Sequence, residues 1–270
     1  MDLRTASFPS PGRTRAARAP RTVGIDLGTT NTVVANNFEA LSFGERNCVM
    51  PSAVAFLPSG STIVGAAARR RRAMDPANTV LSAKRIIGAR WHSSYLTQFR
   101  EHYPYDLLQT VEGGAAFRTR GGVLTPAEIG TMVMKGLCDL TQFDVRGVGA
   151  VVTAPVAFDQ RRRDATVQAA LGAGFDTVRV VEEPVATALA YLNRSNLKHG
   201  FVYDLGGGTF DAAVVDCSRY PFRVIGHGGD PYLGGDDVDR TIALHVAERT
   251  LSRNGWDLTN DAVTFDRLVY

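Results

Sequence analysis

One pattern occurs twice in this chain, and it constrains the possible folds more than any other feature. Residues 23–32 read Val-Gly-Ile-Asp-Leu-Gly-Thr-Thr-Asn-Thr, and residues 202–211 read Val-Tyr-Asp-Leu-Gly-Gly-Gly-Thr-Phe-Asp. Each copy predicts a strand that ends in an aspartate, a glycine-rich turn containing threonine, and a returning strand. Two such hairpins facing each other would form a cleft that holds a phosphate chain from both sides.

The residue types in the two turns are those that bind phosphate groups and magnesium. Consecutive backbone N–H groups of a tight glycine turn form an anion-binding concavity, and glycine lets phosphate oxygens approach closely. Thr29, Thr30 and Thr209 add hydroxyl donors. Asp26 and Asp204 end the first strand of each hairpin. Two carboxylates beside a polyphosphate suit Mg²⁺, because this ion takes few protein oxygens and keeps most of its waters.

Other nucleotide-binding and catalytic patterns are missing from the sequence. It contains no Gly-x-x-x-x-Gly-Lys-Ser/Thr phosphate loop, no Gly-x-Gly-x-x-Gly after a strand and no Gly-x-Ser-x-Gly elbow. The three cysteines, Cys48, Cys138 and Cys217, are too few and too scattered for a disulfide framework or a zinc site. We therefore expect reduced thiols in or near the core.

The net charge of +3 is unevenly distributed along the chain. The first 21 residues hold five arginines and one aspartate, so the rest of the chain carries a net charge of −1. We expect residues 1–21 to be a disordered basic tail, and we expect no nucleic-acid partner for the body of the protein. No apolar run approaches the roughly 20 residues that a membrane helix needs, so no membrane partner is expected either. The expected location is the cytoplasm.

Local signals predict further elements around the two turns. A threonine, a proline and a glutamate at residues 125, 126 and 128 form a helix start, and this helix should run to about Phe143. Residues 89–123 are weakly patterned. The other predicted elements are strands at 51–57, 148–154 and 178–181, helical pieces over 66–88, and helices at 160–171, 185–192 and, as an amphipathic helix, 236–252.

Seven motifs follow one another in an order that matches a known family. They are GIDLGTTNT at 24–32, PSAVAF at 51–56, NTVLSAKRIIG at 78–88, VTAPVAF at 152–158, EPVATALAY at 183–191, DLGGGTFD at 204–211 and GDPYLGGDDVD at 229–239. Together they resemble the N-terminal ATPase domain of the seventy-kilodalton heat-shock chaperones, the DnaK-like family, from about Val23 to the last residue.

This resemblance implies an α/β protein with the actin-like ATPase fold, in which a ribonuclease H-like motif is duplicated to give two lobes. Lobe I would span 22–198, with 52–124 as an inserted subdomain, and 199–270 would be part of lobe II. In the family the adenine-binding helix would follow almost immediately after residue 270. We therefore expect the second lobe to be incomplete.

The resemblance also implies roles for individual residues. Asp26 and Asp204 would hold Mg²⁺ through water. Glu183 would orient the attacking water, with Thr209 and Asp211 nearby. The residues expected to contact the phosphates of ATP or ADP are Gly28, Thr29, Thr30, Asn31, Gly206, Gly207, Gly208 and Thr209.

One position departs from the family pattern. Counting back from Asn78 without gaps, the family's catalytic lysine corresponds to Arg69, the first of four consecutive arginines. Arginine keeps the positive charge, but its planar, forked guanidinium differs in shape from a compact ammonium. We expect Arg69 to stabilise charge on the γ-phosphate.

The partners that the resemblance implies are ATP, a J-domain co-chaperone and a nucleotide-exchange factor. Unfolded peptide clients would be bound only through a C-terminal domain that this sequence does not contain. Three alternatives stay open at this point: a nucleotide-binding fragment without turnover, an actin-like filament protein, and a relative of the sugar kinases, which share the two-turn plan.

Overall fold

Both glycine-rich turns join antiparallel strands in the computed structural model, which describes residues 21–37, 39–44, 47–192 and 197–270. Apart from Arg21, the predicted basic tail lies outside the described residues. The N-terminal part of the chain contributes four strands to one sheet. They are β1 (Arg21–Leu27), β2 (Asn31–Asn36), β3 (Glu39–Ala40) and β4 (Met50–Pro51).

The segment predicted as an insertion contains more regular structure than its sequence pattern suggests. Residues 89–123 form a helix and a three-stranded antiparallel sheet, which were not predicted because the strands are short and alternate weakly. The elements of this segment are β5 (Val54–Phe56), β6 (Thr62–Val64), α1 (Ala66–Arg71), β7 (Thr79–Val80), α2 (Ser94–His102), β8 (Leu107–Gln109), β9 (Ala115–Thr119) and β10 (Gly122–Leu124). Two 3₁₀ turns, Pro76–Asn78 and Ala83–Ile86, flank β7.

The next segment completes the first sheet and covers it with helices. Its elements are α3 (Pro126–Leu140), β11 (Val148–Ala154), α4 (Gln160–Gly172), β12 (Thr177–Glu182) and α5 (Glu183–Leu192). The sheet order is β12-β11-β1-β2-β3, with β4 also paired to β2. The β1–β11 and β11–β12 pairs are parallel, and β1–β2 is antiparallel.

The predicted start of α3 is confirmed in atomic detail. The Thr125 hydroxyl accepts a hydrogen bond from the Glu128 backbone N–H at 3.2 Å, and the Glu128 carboxylate accepts one from the Thr125 N–H at 2.7 Å. This reciprocal capping box satisfies two backbone donors that a helix start leaves free. The buried face of α3 then packs into the main core, which includes Ile129 and Leu137.

The last segment forms a second sheet and two helices. Its elements are β13 (His199–Leu205), β14 (Phe210–Asp216), β15 (Arg223–Asp230), α6 (Gly235–Asn254) and α7 (Ala262–Val269). The three strands form an antiparallel sheet in chain order, and α5 contacts this sheet as well as the first one. In this way α5 links the two sheets, each of which contains one of the glycine-turn hairpins.

The prediction of a helix at 236–252 is confirmed, but its expected amphipathic character is wrong. Only Ala243 and Ala247 are buried along α6. Large apolar side chains such as Ile242 and Val246 are 58% and 41% exposed. Among the helices of the described residues, none is long and apolar enough to cross a membrane.

Candidate functional site

The first glycine turn is held by a neighbouring strand and carries Asp26 away from the core. Alternation along β1 buries Ile25 and Leu27, so Asp26 lies on the opposite face of the sheet. The Ser52 hydroxyl donates to the Gly28 carbonyl at 2.8 Å, and the Ser52 N–H donates to the Thr30 carbonyl at 2.8 Å. These two bonds fix the backbone of the turn without using its threonine hydroxyls.

The second turn is closed by the start of α6. The Gly206 N–H donates to the Thr209 carbonyl at 2.9 Å within the turn. From the helix side, the Gly235 N–H donates to the Gly206 carbonyl at 3.1 Å, and the Asp236 N–H donates to the Gly207 carbonyl at 2.6 Å. The carbonyls of this turn are therefore bound to α6, while the turn faces the first hairpin.

The two turns lie in direct contact with each other. A Cβ added at Gly207 would overlap the Thr30 hydroxyl and lie 2.7 Å from the Thr30 Cβ, and one added at Gly208 would lie 2.5 Å from the Thr29 Cγ2. The Thr30 Oγ1 is buried and has no hydrogen-bond partner in the described structure. Glycine is therefore required at Gly207 by the close approach of the first turn, and the Thr30 hydroxyl beneath it keeps an unused hydrogen-bonding capacity.

Four carboxylates surround the meeting point of the turns. Asp204 and Asp211 are directly paired across β13 and β14, so they lie on one face of the second sheet. Asp26 accepts a hydrogen bond from the Thr153 hydroxyl at 2.7 Å. Glu183 is the first residue of α5. The structure thus brings these four acids, predicted from positions up to 185 residues apart in the sequence, to one site.

Burial and mutual repulsion raise the pKa values of Glu183, Asp204 and Asp211. Burial is the main cause of the raised pKa of Asp204, and repulsion by Asp26 adds to it. The pKa of Asp211 is raised by burial and then by Asp204. The pKa of Glu183 is raised mainly by burial; a nearby lysine opposes this rise, and repulsion from Asp26 and Asp211 adds to it. A site with this surplus of negative charge would be stabilised by a cation.

That lysine is Lys84, which sequence reasoning did not assign to the site. Its Nζ lies 2.6 Å from the Glu183 Oε1, and the two side chains are 7% and 15% exposed. Burial lowers the pKa of Lys84, but attraction to Glu183, Asp26 and Asp204 raises it above its ordinary value. The available signal was its place in the motif at 78–88, as one of only three lysines in the chain.

Arg69 lies beside the first glycine turn and away from Glu183. It is exposed on α1 and lines a small pocket with Thr29 and Thr30, near Asp236. The structure therefore brings Arg69 to the rim of the first turn but not to Glu183, which is paired with Lys84. Asn31 is exposed at the start of β2.

A cavity of about 290 Å³ adjoins both turns. Its lining includes Thr29, Thr209, Asp211 and Lys84. Its lining also includes the apolar and aromatic side chains of Tyr95, Pro155, Phe158 and Tyr232, and the charged side chains of Arg85, Arg162 and Asp230. A phosphate chain seated on the turns would enter this cavity beside the carboxylates.

The residues at the site fit a Mg²⁺–phosphate group. Backbone amides of the turns and the unpartnered Thr30 hydroxyl suit phosphate oxygens, and the surplus negative charge suits a divalent cation. Among the described residues, no three acidic, histidine or cysteine side chains are grouped to hold a metal directly.

Comparisons with known proteins identify the family of this chain. A family model described as "Hsp70 protein" matches residues 22–270. The chain is 36% identical over 256 residues to a protein named "Chaperone protein DnaK" from Thermus thermophilus, covering 92% of this chain and 41% of that protein. It is also 36% identical over 253 residues to the "Heat shock 70 kDa protein, mitochondrial" of Dictyostelium discoideum, covering 91% of this chain and 38% of that protein. The chain thus spans about two fifths of the length of these curated relatives.

Proposed function

Because this chain belongs to the Hsp70 family and has its actin-like α/β ATPase fold, we propose that it binds ATP or ADP with Mg²⁺ between its two glycine-rich turns and hydrolyses ATP. The observation that carries the proposal is the contact between the turns beside a cluster of four carboxylates. Gly207 and Gly208 pack against Thr30 and Thr29, so one phosphate chain would touch both hairpins. The family match also favours this function over a filament-forming actin relative or a sugar kinase.

The residues of the two turns would bind and orient the phosphates. Backbone N–H groups from Gly28 to Asn31 and from Gly207 to Thr209 would donate to phosphate oxygens, together with the hydroxyls of Thr29, Thr30 and Thr209. Gly206 would shape the turn, since its own N–H already donates to the Thr209 carbonyl. Asp26 and Asp204 would hold the waters around the metal. Bound Mg²⁺ would offset charge on the phosphates during transfer to water.

Glu183 would accept a hydrogen bond from the attacking water and so align it with the γ-phosphorus. Glu183 begins α5 and lines a small pocket with Asp204 and Asp211, and Asp211 also lines the cavity that adjoins both turns. Thr209 and Asp211 line that cavity and would help to order the water. Arg69 would add positive charge from the rim of the first turn.

Coupling of this ATP cycle to protein folding, in the cytoplasm, is part of the proposal. A J-domain co-chaperone and a nucleotide-exchange factor are the partners that would act on the described residues. This coupling to protein folding is inferred from the family and from the names of the two relatives. It remains a proposal for this chain, which spans only about two fifths of their length.

Two measurements on the 270-residue chain test the proposed function. Calorimetric titration should show Mg·ADP and Mg·ATP binding that weakens with added salt, since phosphate contacts would dominate it. Single-turnover assays should show ATP hydrolysis that Asp204→Asn and Arg69→Ala both slow. Asp239→Asn, an exposed site on α6, is the matched control and should change neither. Binding without turnover would instead support a nucleotide-binding fragment, and absence of binding would contradict the proposal.

A further inference from the structure

The turn that carries Lys84 is held in place by residues far away in the sequence. Ser82, just before the 3₁₀ turn Ala83–Ile86, has left-handed backbone geometry with a φ of 56°. Its hydroxyl accepts a hydrogen bond from the Tyr103 hydroxyl at 3.1 Å and donates to the Asp236 carboxylate at 3.2 Å. A non-glycine residue adopts this backbone only when its surroundings stabilise it, so the approach of Lys84 to the site is imposed by tertiary packing.

Helix α4 holds the same turn from the other side. The buried guanidinium of Arg162 donates to the carbonyls of Arg85 at 2.9 Å, Ile87 at 3.2 Å and Lys84 at 3.4 Å. Gly88 packs so closely on α4 that an added Cβ would lie 2.8 Å from the Arg162 Cα. Lys84 therefore extends into the site from a backbone that cannot withdraw without breaking these contacts.

The ion pair at the end of this side chain engages one defined oxygen of Glu183. The Lys84 Nζ donates to the Oε1 at 2.6 Å, a short, charge-assisted bond between two largely buried groups. Buried polar groups held in this way have little rotational freedom. Glu183 is thus restrained at one carboxylate oxygen, and its second oxygen is left for another donor.

We propose that Lys84 is a positioning residue for the hydrolysis reaction, which orients Glu183 toward the attacking water. This inference rests on the proposed function. The ammonium holds the Glu183 Oε1, so the second oxygen accepts from water in one direction only. It also offsets the negative charge of Glu183, which would otherwise repel the γ-phosphate. Arg69, exposed at the rim of the first turn, makes no such contact with Glu183 in the described structure.

The test measures single-turnover hydrolysis and ligand affinity in four versions of the 270-residue chain. They are the wild type, Lys84→Met, Glu183→Gln and the double variant. Loss of orientation should make Lys84→Met about 100-fold slower in single turnover. Its affinity for Mg·ADP should stay within threefold of the wild type. In the Glu183→Gln background, Lys84→Met should have little further effect, because the carboxylate that it orients is already gone.

A binding readout makes the test independent of turnover. Aluminium fluoride added to Mg·ADP mimics the phosphoryl group in transfer, so it should tighten binding to the wild type but not to Lys84→Met. Lys84→Met leaves Glu183 buried without its partner and could unfold the chain, whereas the double variant removes both charges. Near-ultraviolet circular dichroism of each variant shows whether the tertiary packing survives.

The outcomes separate the two proposals. If the wild type neither binds Mg·ADP nor hydrolyses ATP, the proposed function fails and this inference fails with it. If the wild type does both while folded Lys84→Met hydrolyses ATP at the wild-type rate, only the role of Lys84 is overturned. The role is also overturned if Lys84→Met slows single-turnover hydrolysis as much in the Glu183→Gln background as in the wild type, because Lys84 would then act independently of Glu183. Should Lys84→Met not fold, a double variant that is slower than Glu183→Gln alone overturns the role of Lys84 in the same way.

Discussion

Arg72 and Asp266 form an ion pair at 2.5 Å although 193 residues lie between them in the sequence. Arg72 is fully buried, Asp266 is 4% exposed, and the guanidinium also donates to the carbonyls of Pro76 and Thr79. Asp266 belongs to α7, and Arg72 directly follows α1. This pair therefore ties α7 to the end of α1, in the segment predicted as an insertion.

We expect Asp266→Ala to destabilise the protein by about 3–5 kcal/mol, because it leaves the Arg72 charge buried without a carboxylate. Urea unfolding at neutral pH measures this loss. Adding Arg72→Met should recover part of it, since the unpaired charge is then removed. As a control, Asp144→Ala removes an exposed pair with Arg146 and should have a much smaller effect. If the urea midpoint of Asp266→Ala equals that of the wild type, the buried ion pair does not stabilise the protein and the prediction is contradicted.

Asp204→Asn should stabilise the protein in the absence of magnesium while weakening Mg·ADP binding. Asp204 lies directly across from Asp211, and like charges in this position oppose folding by about 0.2–1 kcal/mol. Thermal unfolding with a chelator present measures the gain, and calorimetry measures the loss of binding. A variant that is less stable than the wild type without magnesium would show that the two carboxylates do not repel each other.

The raised pKa values of Asp204 and Asp211 also predict a pH dependence. Since both pKa values are raised by burial and repulsion, the folded chain retains protons that the unfolded chain has released. Their contribution to stability is therefore lost as pH rises from the ordinary aspartate pKa through the raised values. Unfolding measurements across this pH range should show that the free energy of unfolding falls less for Asp204→Asn than for the wild type. An identical pH profile for both proteins would contradict this prediction.

Gly207→Ala should separate the two turns. The new methyl group would overlap the Thr30 hydroxyl, so we expect a loss of about 1–3 kcal/mol in stability and weaker Mg·ADP binding. Gly226→Ala is the matched control from the same sheet, because a Cβ there would have no neighbour within 4 Å. Equal effects of the two substitutions on binding would show that the turns do not meet at Gly207.

Cys138 should be the least reactive of the three cysteines. It is 4% exposed in the core, and burial, with a contribution from Asp139, raises the pKa of its thiol to about 11. Cys48 and Cys217 are partly exposed. At pH 8 a disulfide reagent should therefore modify these two first and Cys138 only after denaturant is added. Peptide mapping by mass spectrometry identifies the modified residues, and rapid labelling of Cys138 in the native protein would contradict its place in the core.

Local sequence signals determined much of the fold. Local patterns predicted the two hairpins, the capping box at Thr125 and the helix at Glu183. These patterns are the alternation of apolar residues, the glycine turns and the helix-start residues, and each involves only residues that are close together in the sequence. The close pairing of Asp204 with Asp211 also follows from a hairpin of known length. The family was identified from motifs in order, and the comparison confirmed it.

The tertiary structure alone decided which distant side chains meet. Lys84 reaches Glu183 across 99 positions because Ser82, Tyr103 and Arg162 hold its turn, and no periodic pattern encodes that approach. The ion pair of Arg72 with Asp266 and the packing of Thr30 on Gly207 are of the same kind. Such contacts depend on how whole elements pack, since burial in a shared core strengthens charge pairing and leaves room for only one arrangement of the backbone.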